Sequence, residues 1–373
     1  MNPALPLSTA PRRTRTIPAS ELTSADVAAW SVLQLADPVV ASPFFRPEFT
    51  AAVAEVRSDA RVAIVEDSEG AAGFFPFQVG RFARGHPIGG PLSDYQGAIT
   101  RPGWEWDARE LIWSCGVTAW YFDHLLAAQR SFEKFHHVPT ESPIIDLSGG
   151  YARYAEEHVK TLSEPRKKRK LEREVGPVRF EVHCADSGML ETLMRWKASQ
   201  YVDTGKFNIF TMPWVVAVVK RIHAEQGANF SGLLSVLYAG DTPVAAHMGM
   251  RSPTVWHYWF PAYDPDFAKY SPGMLLLLEM AAAAPSLGVQ IIDMGKGKAV
   301  YKQRLQNGFV EIAEGSVPVA PVPSAYAEVR NGIEGLLRQS PLIGPARKLH
   351  VAFRDLENHL HFLSRLRSRI RFQ

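Results

Sequence analysis

The chain has 373 residues, 46% hydrophobic and 21% charged, a balance typical of folded proteins and a length beyond one ordinary hydrophobic core, so two domains are expected. Its formal charge of +3, from 41 basic and 38 acidic side chains, is too small to imply a nucleic-acid partner; no DNA is expected, and any basic surface must come from local clustering. Cys115 and Cys184 are the only cysteines and have no metal-ligand spacing, which excludes a multi-bridge framework; two buried thiols, a reducing compartment and no metal are expected.

Residues 1–20 lack the apolar stretch of a secretory signal and read as a flexible tail. Ser24 and Asp26 offer caps for a helix over 27–35, and a second helix follows at 46–56. Segments 61–65 and 72–79 read as strands joined by the turn at 67–70, forming a hairpin. The glycine- and proline-bearing segment 85–91 leads into 95–99, then a helix at 107–115 and strands at 119–126 and 143–147. Residues 151–162 are helical, and the basic run 166–173 extends or follows them, up to Gly176-Pro177. A strand at 178–183 and amphipathic helices at 187–202 and 213–226 come next. A hairpin at 230–250, a strand at 254–260, a helix at 274–284 and strands at 289–294 and 308–313 complete the pattern. The hairpins at 61–79 and 230–250 look like one element used twice, which suggests an internal duplication.

Beyond the proline-rich break at 318–323, helices are expected at 324–338 and 346–372. The last ends in a basic, amphipathic stretch at 365–371, which reads as a packed helix with its arginines in solvent or as a peripheral contact with an anionic membrane. The longest apolar run, 274–284, is broken by Glu279 and too short to span a bilayer, so a cytoplasmic protein is expected.

The most informative segment runs from 243 to 304. Ser271 can cap the helix that follows, Pro272 suits its first turn, and Gly273 lets a ligand approach the backbone. The exposed amides of such a helix start suit a pyrophosphate, and Lys269 could add a charge. His247, central in its strand, is a candidate general base or a satisfied core histidine. Asp264 is a base or a turn cap, and Asp293, at the end of a buried strand, is the rival carboxylate. The hydroxyls of Tyr258, Tyr263 and Tyr270 orient a substrate or simply pack. Arg166 and Arg169 in the basic run contact an anionic acceptor or form a solvated helix face.

The runs YWFPAYDPDFAKYSPGMLLLLEM and GVQIIDMGKGKAVYKQRLQNGF resemble the CelD/BcsL-type acetyltransferases of the GNAT superfamily, and more distantly the FemAB-type aminoacyl transferases. The family's hallmarks stand here as Tyr263-Asp264-Pro265, Tyr270-Ser271-Pro272-Gly273 and Tyr301-Lys302, while Gly295–Val300 departs from its acidic Gly-Asp-Glu-Pro. The resemblance implies an α+β fold of tandem GNAT-like domains, each a mixed, mostly antiparallel sheet flanked by helices. Residues 21–162 would form the first domain and shape the acceptor groove, 163–177 a basic connecting helix, 178–320 the second domain with the donor site, and 321–373 a helical extension. It implies an acyl-CoA donor whose pantetheine arm lies along the strand bearing Tyr258, Trp259 and Phe260, with its pyrophosphate at Lys269, Tyr270, Ser271, Pro272, Gly273 and Met274. Lys302 would neutralise an oxyanion or bind an anionic acceptor, and Tyr301 beside it would bind the substrate. The expected reaction is acyl transfer to an amine or hydroxyl of a small-molecule or saccharide acceptor in exopolysaccharide or cellulose biosynthesis. The alternatives are aminoacyl transfer from charged tRNA and a non-catalytic binding module.

Overall fold

In the computed structural model, which describes residues 13–319, the first half holds β1 (Arg13–Pro18), α1 (Ser24–Ala36), α2 (Pro47–Ala54), β2 (Ala60–Asp67), β3 (Gly70–Val79), β4 (Arg84–Pro87), β5 (Ile99–Thr100), α3 (Ala108–Ser114), β6 (Ala119–Leu126) and β7 (His136–Asp146). A short α4 (Tyr151–Tyr154) runs into one π turn, and α5 (Glu164–Glu174) carries the basic run. The second half holds β8 (Val178–Glu181), α6 (Ser187–Asp203), α7 (Pro213–His223), β9 (Ser231–Ala239), β10 (Thr242–Arg251), β11 (Val255–Tyr263), α8 (Pro272–Ala283), β12 (Ile291–Asp293), α9 (Val300–Leu305) and β13 (Gly308–Pro318).

Local chemistry explains most of these boundaries. Thr23, not Ser24, caps α1: its hydroxyl accepts the Asp26 amide, and Asp26 returns the bond to the Thr23 amide. Pro47, Pro213 and Pro272 each start a helix, where their missing N–H costs nothing. Helix α8 is buried along most of its length, which accounts for its apolar composition without any need for a membrane. No helix among the described residues is long and apolar enough to cross one.

The strands form one sheet in the order β1-β2-β3-β4-β6-β13-β7-β12-β11-β10-β9-β8, with β5 on β3. That order is palindromic by role. Each half contributes three antiparallel neighbours, then a parallel pair, β4 with β6 and β11 with β12. The halves then exchange their last strands: β7 pairs with β12, and β13 with β6, while β7 and β13 pair with each other at the centre. Hairpin β2–β3 thereby occupies the place in the first half that β9–β10 occupies in the second, as the sequence pattern suggested.

Three differences from the sequence reading stand out. Residues 13–18, read as tail, form β1 on the edge of β2. The strand expected at 143–147 begins at His136, and the last strand runs on to Pro318. Both lie at the exchange, where pairing comes from the other half and so leaves little local signal. The helices expected beyond 320, with the basic stretch at 365–371, lie outside the described residues. Both thiols, Cys115 and Cys184, are free and buried.

Candidate active site

Parallel strands β11 and β12 pair over only three residues, Val255↔Ile291, Trp256↔Ile292 and His257↔Asp293. Beyond this last pair β12 ends, whereas β11 runs on to Tyr263, so the strands open into a V with His257 and Asp293 at its apex. The matching opening in the first half, beyond β4 and β6, is closed by the chain itself. Gln96 bridges Leu125 in parallel, and its side-chain oxygen accepts the Asp123 and His124 amides. The segment that closes this opening delivers Asp94 and Tyr95 to the apex of the second V.

The apex is a buried network drawn from both halves. Asp293, 2% exposed, accepts bonds from the Tyr95 hydroxyl, the Ser142 hydroxyl (2.8 Å) and the Gly295 amide (2.7 Å). His257, fully buried, bonds through Nε2 to Asp94 Oδ2 (2.9 Å) and places Nδ1 3.6 Å from Asp293 Oδ1. Asp94 is the open member, its side chain 27% exposed, with His124 Nε2 3.8 Å from its other oxygen. Burial raises the Asp94 carboxyl, but the hydrogen bond and charge of His257, with His124 and Lys302, outweigh it and hold the group below the usual carboxylate range. Burial and the neighbouring Asp293 push the Tyr95 hydroxyl well up, so it stays a donor.

Lys302 borders this network, and Lys197 lies further along β11. Lys302, 8% exposed on α9, donates to the carbonyls of Gly295 (2.7 Å) and Lys296 (3.1 Å). Burial brings it down to about 8, against the pull of Asp94 and Asp293. Lys197, on α6 where that helix crosses β11, donates to the Pro261 carbonyl and to Gln200 Oε1, both at 2.9 Å. Burial, then Lys206 and Lys302, bring it from 10.5 to about 7. Below pH 7 Lys197 is charged in both folded and unfolded chains, and the folded state bears the full cost. Between pH 7 and 10.5 only the unfolded chain keeps the proton, so stability rises with pH across that window. Lys197→Met, which keeps the aliphatic stem, is therefore expected to raise the melting temperature at pH 6 by a few degrees. The gain should fade above pH 7 and be absent at pH 10.5; a gain equal at both pH values would contradict this.

The other sequence candidates fall elsewhere. His247 is fully buried in β10, beside the register slip between Met248 and Met250. Its Nε2 accepts the Trp259 amide (3.1 Å), its ring stacks on Tyr258, and burial holds it well below the usual histidine value. It is thus a neutral support for β11. Asp264 caps the turn after β11 by accepting the Asp266 amide (3.0 Å). Trp259 donates its indole N–H to Leu92 O and stacks on Phe260. Tyr301 meets Tyr258 edge-on, and the Tyr258 hydroxyl lies 3.5 Å from Gly273 O.

At the start of α8 the structure corrects one expectation. Ser271 adopts left-handed geometry (φ 54°) and makes no side-chain cap; its hydroxyl accepts instead from Lys167 of α5 (2.7 Å). The Tyr270 hydroxyl donates to Glu174, also on α5, and Lys269 lies 3.5 Å from the same carboxylate. Lys168 reaches Glu279. The basic helix is therefore docked on the loop that opens α8, with Arg166 and Arg169 left exposed, and Met274 packs against the core beneath. Tyr263, at the far end of β11, is 37% exposed.

Of the sequence candidates, the fold brings Asp293 and Lys302 to the apex, and gathers Lys269 to Met274 with α5 at the helix start. Sequence reasoning passed over Asp94, Tyr95, Ser142, Lys197 and His257. The last was visible as a second histidine in an aromatic strand, ten residues from the one chosen. Among the described residues no group of three or more His, Cys, Asp or Glu could hold a metal ion.

Comparison with known proteins supports the fold. The family described as acetyltransferase (GNAT) domain matches residues 160–303. FemX has a similar fold, with a TM-score of 0.55 and 8% identity over 84% of this chain and 99% of its own. A Bacteroides thetaiotaomicron protein gives 0.52 and 10% over 83% and 100%. The L-PGS of Bacillus licheniformis gives 0.50 and 10% over 85% and 97%. No curated protein matches the chain.

Proposed function

Because the chain contains a GNAT-type acetyltransferase domain, we propose that it moves an acyl group from acyl-CoA to an amine or hydroxyl of a sugar-like acceptor. The observation that carries this reading is the V between β11 and β12, with α8 starting just beyond β11. The open edge of β11 offers backbone groups to a pantetheine arm, and the α8 start with docked α5 offers amides and cations to a pyrophosphate. The sugar-like acceptor, with its setting in exopolysaccharide or cellulose synthesis, follows from the sequence resemblance.

In this reading Asp94 takes the proton from the acceptor as its nitrogen or oxygen bonds to the thioester carbon. His257 and Asp293 hold Asp94 in place from behind. The Lys302 ammonium offsets negative charge on the carbonyl oxygen. The carbon–sulfur bond then breaks, the sulfur leaves with the bonding pair, and the proton held by Asp94 passes to it to give the free thiol.

The test is thermal unfolding with and without CoA, acetyl-CoA and longer acyl-CoAs. A ligand at a hundred times its dissociation constant should stabilise the fold by about 2.7 kcal/mol. Gly273→Asp should abolish the shift. A Cβ there meets only Tyr263 Cδ1 at 3.5 Å, an ordinary contact, so the variant is expected to fold while placing a carboxylate at the helix start. Absence of any shift in the parent protein would remove acyl-CoA as donor. The exposed arginines of α5 beside the α8 start favour one second reading, aminoacyl transfer from charged tRNA, and binding to tRNA without a CoA shift would select it.

A further inference from the structure

A cleft of about 870 Å³ lies on the central ribbon β7–β13, between the turn at Arg130–Phe135 and the loop that leads into α9. Both halves build its walls. One loop also joins it to the apex. A Cβ on Gly295 would stand 3.4 Å from Asp94 Oδ2, and one on Gly297, which lines the cleft, 3.9 Å from Lys302 Nζ. The cleft therefore begins where the open carboxylate of the apex ends.

Its polar side chains have nothing to bind within the chain. Arg130, Glu133, Glu141, Lys298, Gln303 and Glu311 line it, and among the described residues none makes a side-chain hydrogen bond or ion pair. Glu141 and Glu311 stand directly opposite each other across β7 and β13, a like-charge pair that weakens the empty ribbon. Phe309, on the same face two residues before Glu311 and opposite Pro143 of the cleft wall, is more than half exposed.

We propose that this cleft binds several units of a neutral oligosaccharide whose next unit lies at Asp94, so that the acceptor is a sugar chain rather than a free sugar. The proposal rests on the acyltransfer reading above and specifies its acceptor. Carboxylates, amides and cations together suit a ligand whose groups both donate and accept, as hydroxyls do. Hydroxyls donating to Glu141 and Glu311 relieve their repulsion, and the Phe309 ring offers a flat apolar face to the C–H side of a sugar ring. Ligand pockets span about 300–1,000 Å³, so this volume leaves room for more than one ring. Three carboxylates oppose a polyanion such as tRNA. An extended peptide would need a strand edge to pair with, and both β7 and β13 are paired on each side.

The probes are cellopentaose and the neutral pentamer of N-acetylglucosamine, each titrated calorimetrically into the full chain beside its own monomer. At least one pentamer should bind more tightly than its monomer, by roughly tenfold or more as hydrogen bonds accumulate. Phe309→Ala and Glu311→Ala should each weaken that binding roughly fivefold. Neither side chain has a partner to lose, and an unchanged melting temperature confirms that both variants fold. The probes carry no phosphate and no charge, so they do not address the α8 start, and Gly273→Asp should bind them as the parent does. Pentamer binding without any CoA shift would keep the cleft and remove the donor; a CoA shift without pentamer binding would do the reverse. The proposal is overturned if neither pentamer binds more tightly than its monomer, or if both variants bind as the parent does. Binding of tRNA that Phe309→Ala weakens would overturn it too, by giving the cleft to nucleic acid.

Discussion

Replacing Asp94 with asparagine is expected to slow acyl transfer by roughly 10²–10⁴-fold, the usual contribution of a positioned general base. The substitution keeps a group that can bond to His257 Nε2, so the network should persist while the proton acceptor is lost. CoA release from acetyl-CoA in the presence of an acceptor measures it, with the CoA-induced thermal shift as a control on donor binding. A loss smaller than about threefold, against the range expected for a base, would assign proton transfer to another group. Because Asp94 is held below the ordinary carboxylate range, it stays ionised across neutral pH. The acid limb of the rate profile should therefore lie on the low side of that range, the rate falling as Asp94 takes up its proton.

Asp293 carries the largest expected effect on stability. Its carboxylate joins Tyr95 and Ser142 of the first half to the Gly295 amide of the second. Asp293→Ala strands three buried donors and removes a charge that faces His257, so a loss of about 3–5 kcal/mol in urea unfolding is expected. Asp293→Asn keeps one acceptor oxygen and should lose less. If alanine costs under about 1 kcal/mol, less than one stranded donor normally would, the network is not what holds the halves together here.

How much of this was legible in the sequence follows from how local each signal was. The two hairpins showed through because alternation and an acidic-glycine turn occupy about twenty consecutive residues. Helices α6, α7 and α8 showed through their own apolar patterns. Strand β1 did not, because an edge strand with half-exposed residues carries no apolar alternation. The same division runs through the site. The α8 start and Lys302 sit in a contiguous motif-bearing stretch, so their proximity could be read along the chain. Asp94, Tyr95 and Ser142 have no motif; the first half presents Asp94 and Tyr95 by closing its own V, and Ser142 arrives on β7, which pairs with β12. His247 drew attention as a histidine in an apolar strand, and the β11 slip that gives it an amide to accept is invisible without coordinates.

The exchange of terminal strands has a consequence in time as well as in space. Ile312 of β13 pairs with Leu126 of β6, half the chain away. During synthesis the first half therefore waits with one edge of β6 bare until nearly all of the described chain has emerged. Contacts of such long sequence separation close late and slowly, since the loop entropy must be overcome before the pairing contributes anything. The central pair β7–β13 is thus the last seam to form. Ser142 and Asp293 lie on β7 and β12, whose pairing also joins the halves, so a half-assembled chain holds no complete apex.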